Sequence, residues 1–354
     1  MAPEATGSEV GPSVGQNRRA PETKYQKKLA AFLGKDADAV NMDGTLTTAD
    51  VPRQFLKDVY MVGQVPLTAL RVDPRISYAL FVPVAHYDPD PSSSKGKLLP
   101  LLVDVHGTTR VFSSVYAPSP LRKFAQEPAH PCAVLAPLFP AGVEGPHDVD
   151  SYKVLRSRTQ RSDLALLAVL EEVAHRWPGI DARKIYMTGF SGGGQFALRF
   201  LYLYPERLAG VSVGAPGRVT ALDDALSWPR GVADVARIFD GVEIRRDLIA
   251  QVPIQLVVGG EDTKTHGNPG FWEWMAEMKE KKKGAGGEGG GGGGGTDLPP
   301  MEKGRLETLR ELQAAWKVEG IEARLDVVPG VAHNVAEVRD TVLDFMRPLI
   351  RGHH

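Results

Sequence analysis

The run Lys184-Ile185-Tyr186-Met187-Thr188-Gly189-Phe190-Ser191-Gly192-Gly193-Gly194 constrains this chain more than any other. It opens on apolar and β-prone residues, passes through Gly-x-Ser-x-Gly, and continues from Gln195 to Tyr204 in an apolar segment that reads as a helix. Strand, sharp turn through serine and helix form the setting that a nucleophile elbow needs. Where such a strand and helix close on each other, side chains at Gly189 and Gly193 would clash, so glycine at both positions has a mechanical reason. The competing reading is a glycine-rich turn that cradles phosphate. Against it, the run has no Gly-Lys-Ser/Thr ending and does not match Gly-x-Gly-x-x-Gly. Ser191 is the candidate nucleophile, and the rest of the chain has to supply its partners.

The pattern on either side of the elbow is an alternation. Leu67 to Val72 and Ile76 to Val84 read as a hairpin turning at Asp73-Pro74, with ordered β structure expected from about Val59-Val62 and a polar loop over Asp88 to Lys97. Leu98 to Val105 is almost continuously apolar, as a strand buried on both faces should be. Further strands are predicted at Cys132–Leu138, Leu208–Gly214, Pro253–Gly259 and Ala323–Val328. Helical spacing appears over Ser162–Arg176, ended by Pro178-Gly179, and over Val335–Arg347, where Pro348 is expected to stop the helix. Strands separated by helices imply an α/β fold with a doubly wound, mostly parallel sheet and an antiparallel hairpin at its start.

Three segments stand apart from this series. Residues 1–22 read as a disordered tail, and residues 23–354 as a single domain; Tyr25, Leu29, Phe32 and Leu33 have the spacing of a short docking helix. Residues 215–250 are too long for a simple connection and are expected to contain helices, either as a lid over the site or as extra packing. Residues 279–300, with a glycine tract at 289–295, are expected to form a flexible surface loop without chemistry.

Charge excludes several functions. There are 42 Lys+Arg against 43 Asp+Glu, a formal net charge of -1, which makes no electrostatic case for nucleic acid or an anionic membrane as partner. The one cysteine, Cys132, lies in an apolar strand and reads as a buried, inert thiol. Met1 to Arg19 has no apolar core of a secretory signal, and no apolar run approaches the length of a membrane span. A cytoplasmic location is the resulting expectation. Nothing in the sequence sets the oligomeric state.

A serine nucleophile needs a base, an acid that orients the base, and N–H donors for the oxyanion. Of nine histidines, His333 is the candidate base, because Val328-Pro329-Gly330-Val331-Ala332-His333-Asn334 lies between the last strand and the last helix. His266 is the rival. Asp262, after the strand ending at Gly259, is the candidate acid; Glu261 beside it and Asp223 and Asp224 further upstream are alternatives. The chain order is then Ser, Asp, His. The oxyanion donors are assigned to the N–H groups of Gly192 and Thr108, with Thr109 as the alternative to Thr108, and His106 is read as a structural residue beneath that loop. Arg110, Arg161 and Trp228 are candidate substrate contacts, the competing reading for the arginines being surface or salt-bridged groups.

These residues carry a family resemblance. His106-Gly107-Thr108, Gly189-Phe190-Ser191-Gly192-Gly193, Gly260-Glu261-Asp262 and Gly330-Val331-Ala332-His333 resemble the markers of serine hydrolases of the α/β-hydrolase fold. Asp181 to Gly194, with Ala136-Pro137-Leu138-Phe139-Pro140, is similar to esterases grouped with polyhydroxybutyrate depolymerases and feruloyl esterases. It is also similar to the catalytic domain of prolyl-oligopeptidase-like peptidases. The resemblance covers roughly residues 60 to 350. It departs from the secreted esterases, which have disulfides, and from prolyl oligopeptidases, which carry a preceding propeller module. It implies hydrolysis of a small-molecule carboxylic ester through an acyl-enzyme, with no cofactor and no metal. An amide, thioester or lactone substrate, acyl transfer, or binding without turnover would use the same residues.

Overall fold

Strand β3 (Leu99–Val105) is buried at every position, and it takes the centre of the sheet that the alternation predicts. The structure, a computed structural model, describes residues 62–89, 97–111, 115–116, 119–146, 148–263, 277 and 303–353. These all belong to one unit, Thr47–His354. They form an eight-stranded sheet from β1 (Gly63–Ala69), β2 (Ser77–Val82), β3, β4 (Ala133–Leu138), β5 (Ile180–Phe190), β6 (Leu208–Gly214), β7 (Ile254–Gly259) and β8 (Ala323–Val328). The order is β1-β2-β4-β3-β5-β6-β7-β8, with β2 antiparallel to both β1 and β4 and every other pair parallel.

Side chains alternate across this sheet, and each face has its own core. Leu101, Val103 and Val105 of β3 point to one side with Leu135, Ile185 and Met187. There they meet α2 (Ser162–Arg176), α3 (Gly192–Leu203) and α6 (Arg305–Val318). Leu102, Val134 and Tyr186 point to the other side, against α1 (Pro120–Ala125) and α7 (Val335–Arg351). Helix α3 is buried along its entire length, which explains its lack of a polar stripe. Its Arg199 is held without a carboxylate: Nε donates to Thr220 Oγ1 at 3.0 Å and Nη1 to the Lys153 carbonyl at 2.6 Å. Burial lowers the Arg199 pKa to about 9.

Several expectations are corrected in detail. The hairpin exists, but β1 starts at Gly63, and the connection runs from Leu70 to Ile76, closed by Leu70 N–H on the Ile76 carbonyl at 2.9 Å. Helix α7 does not stop at Pro348 but continues to Arg351. A proline in the last turn forfeits only one intrahelical bond. The turn is also held by burial of Ile350 and by Tyr186 Oη donating to the Leu349 carbonyl at 2.9 Å. Residues 215–250 hold only two single-turn helices, α4 (Val235–Ile238) and α5 (Arg246–Ile249), and bury Val232, Val235, Phe239 and Ile249 in the core. Helices α1 and α6 come in addition to the expected elements. The expected tail at 1–22, the docking helix at 25–33, the Val59–Met61 start and nearly all of the glycine-rich loop's surroundings at 264–302 lie outside the described residues. No helix of the described residues is long and apolar enough to cross a membrane.

Candidate active site

The site is built where strands β3, β5, β7 and β8 end. Ser191 follows β5 directly and has φ 57° and ψ -110°, a left-handed conformation that a non-glycine residue rarely adopts. Two backbone bonds hold it there. Ser191 N–H donates to the Gly214 carbonyl at the end of β6 at 2.8 Å, and Gln195 N–H donates to the Ser191 carbonyl at 3.1 Å as α3 begins. Gly189 has the predicted reason, since a Cβ there would lie 2.3 Å from the Gly193 carbonyl oxygen; at Gly193 the obstacle is a different strand, since a Cβ there would lie 2.1 Å from the carbonyl oxygen of Val105 at the end of β3.

The loops after β7 and β8 are stapled together before any side chain is counted. Gly260 N–H donates to the Val328 carbonyl at 2.7 Å and Glu261 N–H to that of Val331 at 2.8 Å. His333 stands just before the α7 N-cap, where Asn334 Oδ1 accepts from Ala336 N–H at 3.0 Å. Asp262 and His333 are thereby brought together, with Asp262 Oδ2 2.6 Å from His333 Nδ1. The second carboxylate oxygen, Oδ1, accepts from Arg305 Nη1 at 3.0 Å. Burial pushes the Asp262 carboxyl up, but the hydrogen bond and charge of His333 and the charge of Arg305 outweigh it and hold the group below the usual carboxylate range. The alternative acids have other occupations. Glu261 is exposed, Asp223 Oδ1 accepts from Ala225 N–H, and Asp224 pairs with Arg246. The rival base His266 lies outside the described residues.

On the other side of Ser191 is the loop after β3. A Cβ built on Gly192 would sit 3.0 Å from the Thr108 backbone nitrogen, so the two residues assigned as oxyanion donors lie on neighbouring segments. His106 lies beneath them as expected, 4% exposed. Its Nε2 accepts from Phe139 N–H at 3.1 Å, which makes Nδ1 the protonated nitrogen, 2.8 Å from the Gly107 carbonyl. Burial lowers the His106 pKa to about 4. The Gly107 carbonyl belongs to the same peptide unit as the Thr108 N–H, so this bond fixes that donor's plane. Tyr152 Oη adds a bond to the His106 carbonyl at 3.1 Å.

Arg110 and Trp228 do not meet the cavity. Arg110, at φ 57°, turns its guanidinium onto the carbonyls of Thr108 at 2.7 Å, Phe139 at 3.0 Å, and Pro140 and Val149 at 3.3 Å. It braces the loop after β3, and its donors are occupied by protein. Trp228 Nε1 donates to the Val154 carbonyl at 2.8 Å, and its ring packs on Phe239. Arg161 is salt-bridged to Asp163 at 2.7 Å.

Ser191 and His333 line one cavity of about 640 Å³. Its apolar wall includes Val111, Leu121, Phe190 and Val335; its charged wall has Asp104, Arg305 and Arg339. Among the described residues, none from 215–250 lines it, so this segment packs against the domain and is not a lid over the cavity. No motif in the sequence marks Arg305 or Arg339 as a cavity residue. The spacing of Leu306, Leu309, Leu312 and Trp316 could have revealed the helix that begins at Arg305; nothing local says that its first side chain reaches Asp262. Among the described residues no three His, Cys, Asp or Glu are grouped as metal ligands.

No family model matches the chain, and no curated protein matches it. Solved structures do. A poly(3-hydroxybutyrate) depolymerase, LpqC, from Bordetella parapertussis is similar at 22% identity and TM-score 0.52, over 84% of this chain and 93% of that one. Poly(aspartic acid) hydrolase-1 from Sphingomonas sp. KT-1 is similar at 16% identity and TM-score 0.50, over 76% and 92%. The chain has the α/β-hydrolase fold.

Proposed function

We propose that this α/β-hydrolase chain is a serine hydrolase that cleaves a small-molecule carboxylic ester through an acyl-enzyme. The observation that carries the reading is the placement of Ser191. It sits in a strained turn on the cavity lined by His333, whose Nδ1 is bonded to a buried carboxylate. That bond leaves His333 Nε2 as the nitrogen to take the serine proton. Ser191 Oγ attacks the ester carbonyl, and the oxyanion that forms is met by the N–H groups of Gly192 and Thr108. His333, now imidazolium and stabilised by Asp262, returns the proton to the departing alcohol. Water activated by His333 then releases the acid. The cavity volume suits a small ligand, and its largely apolar lining suits an ester better than a free polar chain. The two structural neighbours are, by name, a depolymerase and a hydrolase, which agrees with hydrolysis.

The test is a fluorophosphonate probe with peptide mapping, run beside an aryl ester panel. Labelling is expected on Ser191. Ser191→Ala should lose it, with kcat falling by about 10⁴-fold or more and the melting temperature kept. Full ester turnover by Ser191→Ala would overturn the assignment.

A further inference from the structure

The cavity wall on the His333 side carries two guanidinium groups, each anchored at one point. Arg305, the first residue of α6, gives Nη1 to Asp262 Oδ1; Arg339, in the second turn of α7, gives Nη1 to Asp104 Oδ1; both distances are 3.0 Å. Neither pair is the closed two-bond fork that arginine makes with a carboxylate when geometry allows. Among the described residues each guanidinium has this one partner, and Arg305 Nε is buried with none at all. The Arg305 side chain is 6% exposed and lines the cavity, as does Arg339. A buried guanidinium with open donors costs free energy unless a partner completes it. Asp262 and Asp104 neutralise the formal charge but do not fill the donors. The same wall also holds Asp104, paired with Arg339, and Asn334, whose Oδ1 accepts from Ala336 N–H, beside the apolar or small Phe190, Val335 and Ala336.

We propose that the cavity takes esters bearing a second, free carboxylate, which is bound by the open donors of Arg305 and Arg339. This rests on the hydrolase reading and gives its substrate class. Arg110 is consumed by four carbonyls, whereas Arg305 and Arg339 face the cavity. A charge-assisted pair of this kind is worth about tenfold or more in affinity.

The experiment compares kcat/KM within two substrate pairs. Monomethyl adipate against dimethyl adipate puts the carboxylate on the acyl side. The second pair, 4-carboxyphenyl acetate against its methyl ester, read by acetate release, puts it on the alcohol side. The acid member of one pair is expected to be preferred about tenfold or more, and the favoured pair identifies the side. The preference should shrink toward unity in Arg305→Gln and Arg339→Gln and be partly kept in Arg339→Lys. Because the readout is a ratio, general damage to the triad cancels. If Ser191 is labelled and neutral esters turn over but neither acid is preferred, the carboxylate site is overturned and the hydrolase reading stands. A preference that persists in both Gln variants also overturns it. If Ser191 is inert, calorimetry with adipate decides separately: binding lost in Arg339→Gln supports the site, and absence of binding to the wild-type chain overturns it.

Discussion

At the scale of single residues, the loop after β3 depends on His106 and Arg110, whose polar atoms are taken up by the protein itself. His106 accepts from Phe139 N–H and is bonded to the Gly107 carbonyl, while Arg110 gathers carbonyls from three stretches of chain around the same loop. Removing a preorganised oxyanion donor outright costs about 10²–10³ in kcat. Loosening the loop that carries it should cost less. Arg110→Met is expected to lower kcat by roughly tenfold to a hundredfold with KM little changed. Arg110→Lys should not restore it, because a lysine ammonium cannot span carbonyls so far apart. Steady-state kinetics on an unhindered aryl acetate decide the point; a rise in KM at constant kcat would instead mean direct substrate contact.

At the scale of elements, α6 ties Asp262 to the core. Its first residue reaches Asp262, and Leu306 N–H donates to the Asp262 carbonyl at 3.3 Å. Its apolar face, Leu306, Leu309, Leu312 and Trp316, is buried against the side of the sheet that carries α3, and Trp316 Nε1 donates to Tyr202 Oη on α3 at 2.9 Å. Leu309 is fully buried. Leu309→Ala should therefore cost about 3 kcal/mol, the usual loss of transfer energy plus a cavity. It should also reduce kcat, because the anchor of Asp262 moves with the helix. A denaturant midpoint with an unchanged slope checks the first part. A shift below about 1 kcal/mol would mean that the helix is not bound to the core as described.

At the scale of the whole molecule, acid is the expected route to unfolding, because groups on separate loops favour one protonation state. His106 has its pKa lowered from 6.5 to about 4 by burial, so the unfolded chain takes up its proton first. Its contribution is whole above pH 6.5 and is lost as pH falls toward 4. Burial alone would raise Glu144, but its bonds from Ser157, Thr159 and Arg158 lower it from 4.5 to about 2. Its contribution is whole above pH 4.5 and lost as pH falls toward 2. Asp262, also depressed, acts in the same direction. The melting temperature should therefore drop in two stages on acidification. His106→Gln should flatten the upper stage and Glu144→Gln the lower one, measured by melting curves across pH. A single stage unaffected by either substitution would contradict this.

Local pattern alone was enough to place the strands along the chain, the turn at Ser191, and His333 and Asp262 as polar residues just after strands. These are carried by short-range pattern: apolar runs of strand length, Gly-x-Ser-x-Gly between a strand and a helix, and polar residues just after strands. It could not say which side chains separated by tens to hundreds of residues share a wall. Arg110 follows His106-Gly107-Thr108 and reads from sequence as a substrate contact, yet the fold brings it the carbonyls of Phe139, Pro140 and Val149. Arg305 and Arg339 carry no local mark, yet β7, β8 and β3 end at one edge and bring them to Asp262 and Asp104. Residues 215–250 had the length of a lid, but their apolar side chains found the core first. In each case the deciding term is long-range: a guanidinium takes whichever oxygens the fold presents, and apolar surface goes where it is best removed from water. Only the tertiary structure sets those neighbours.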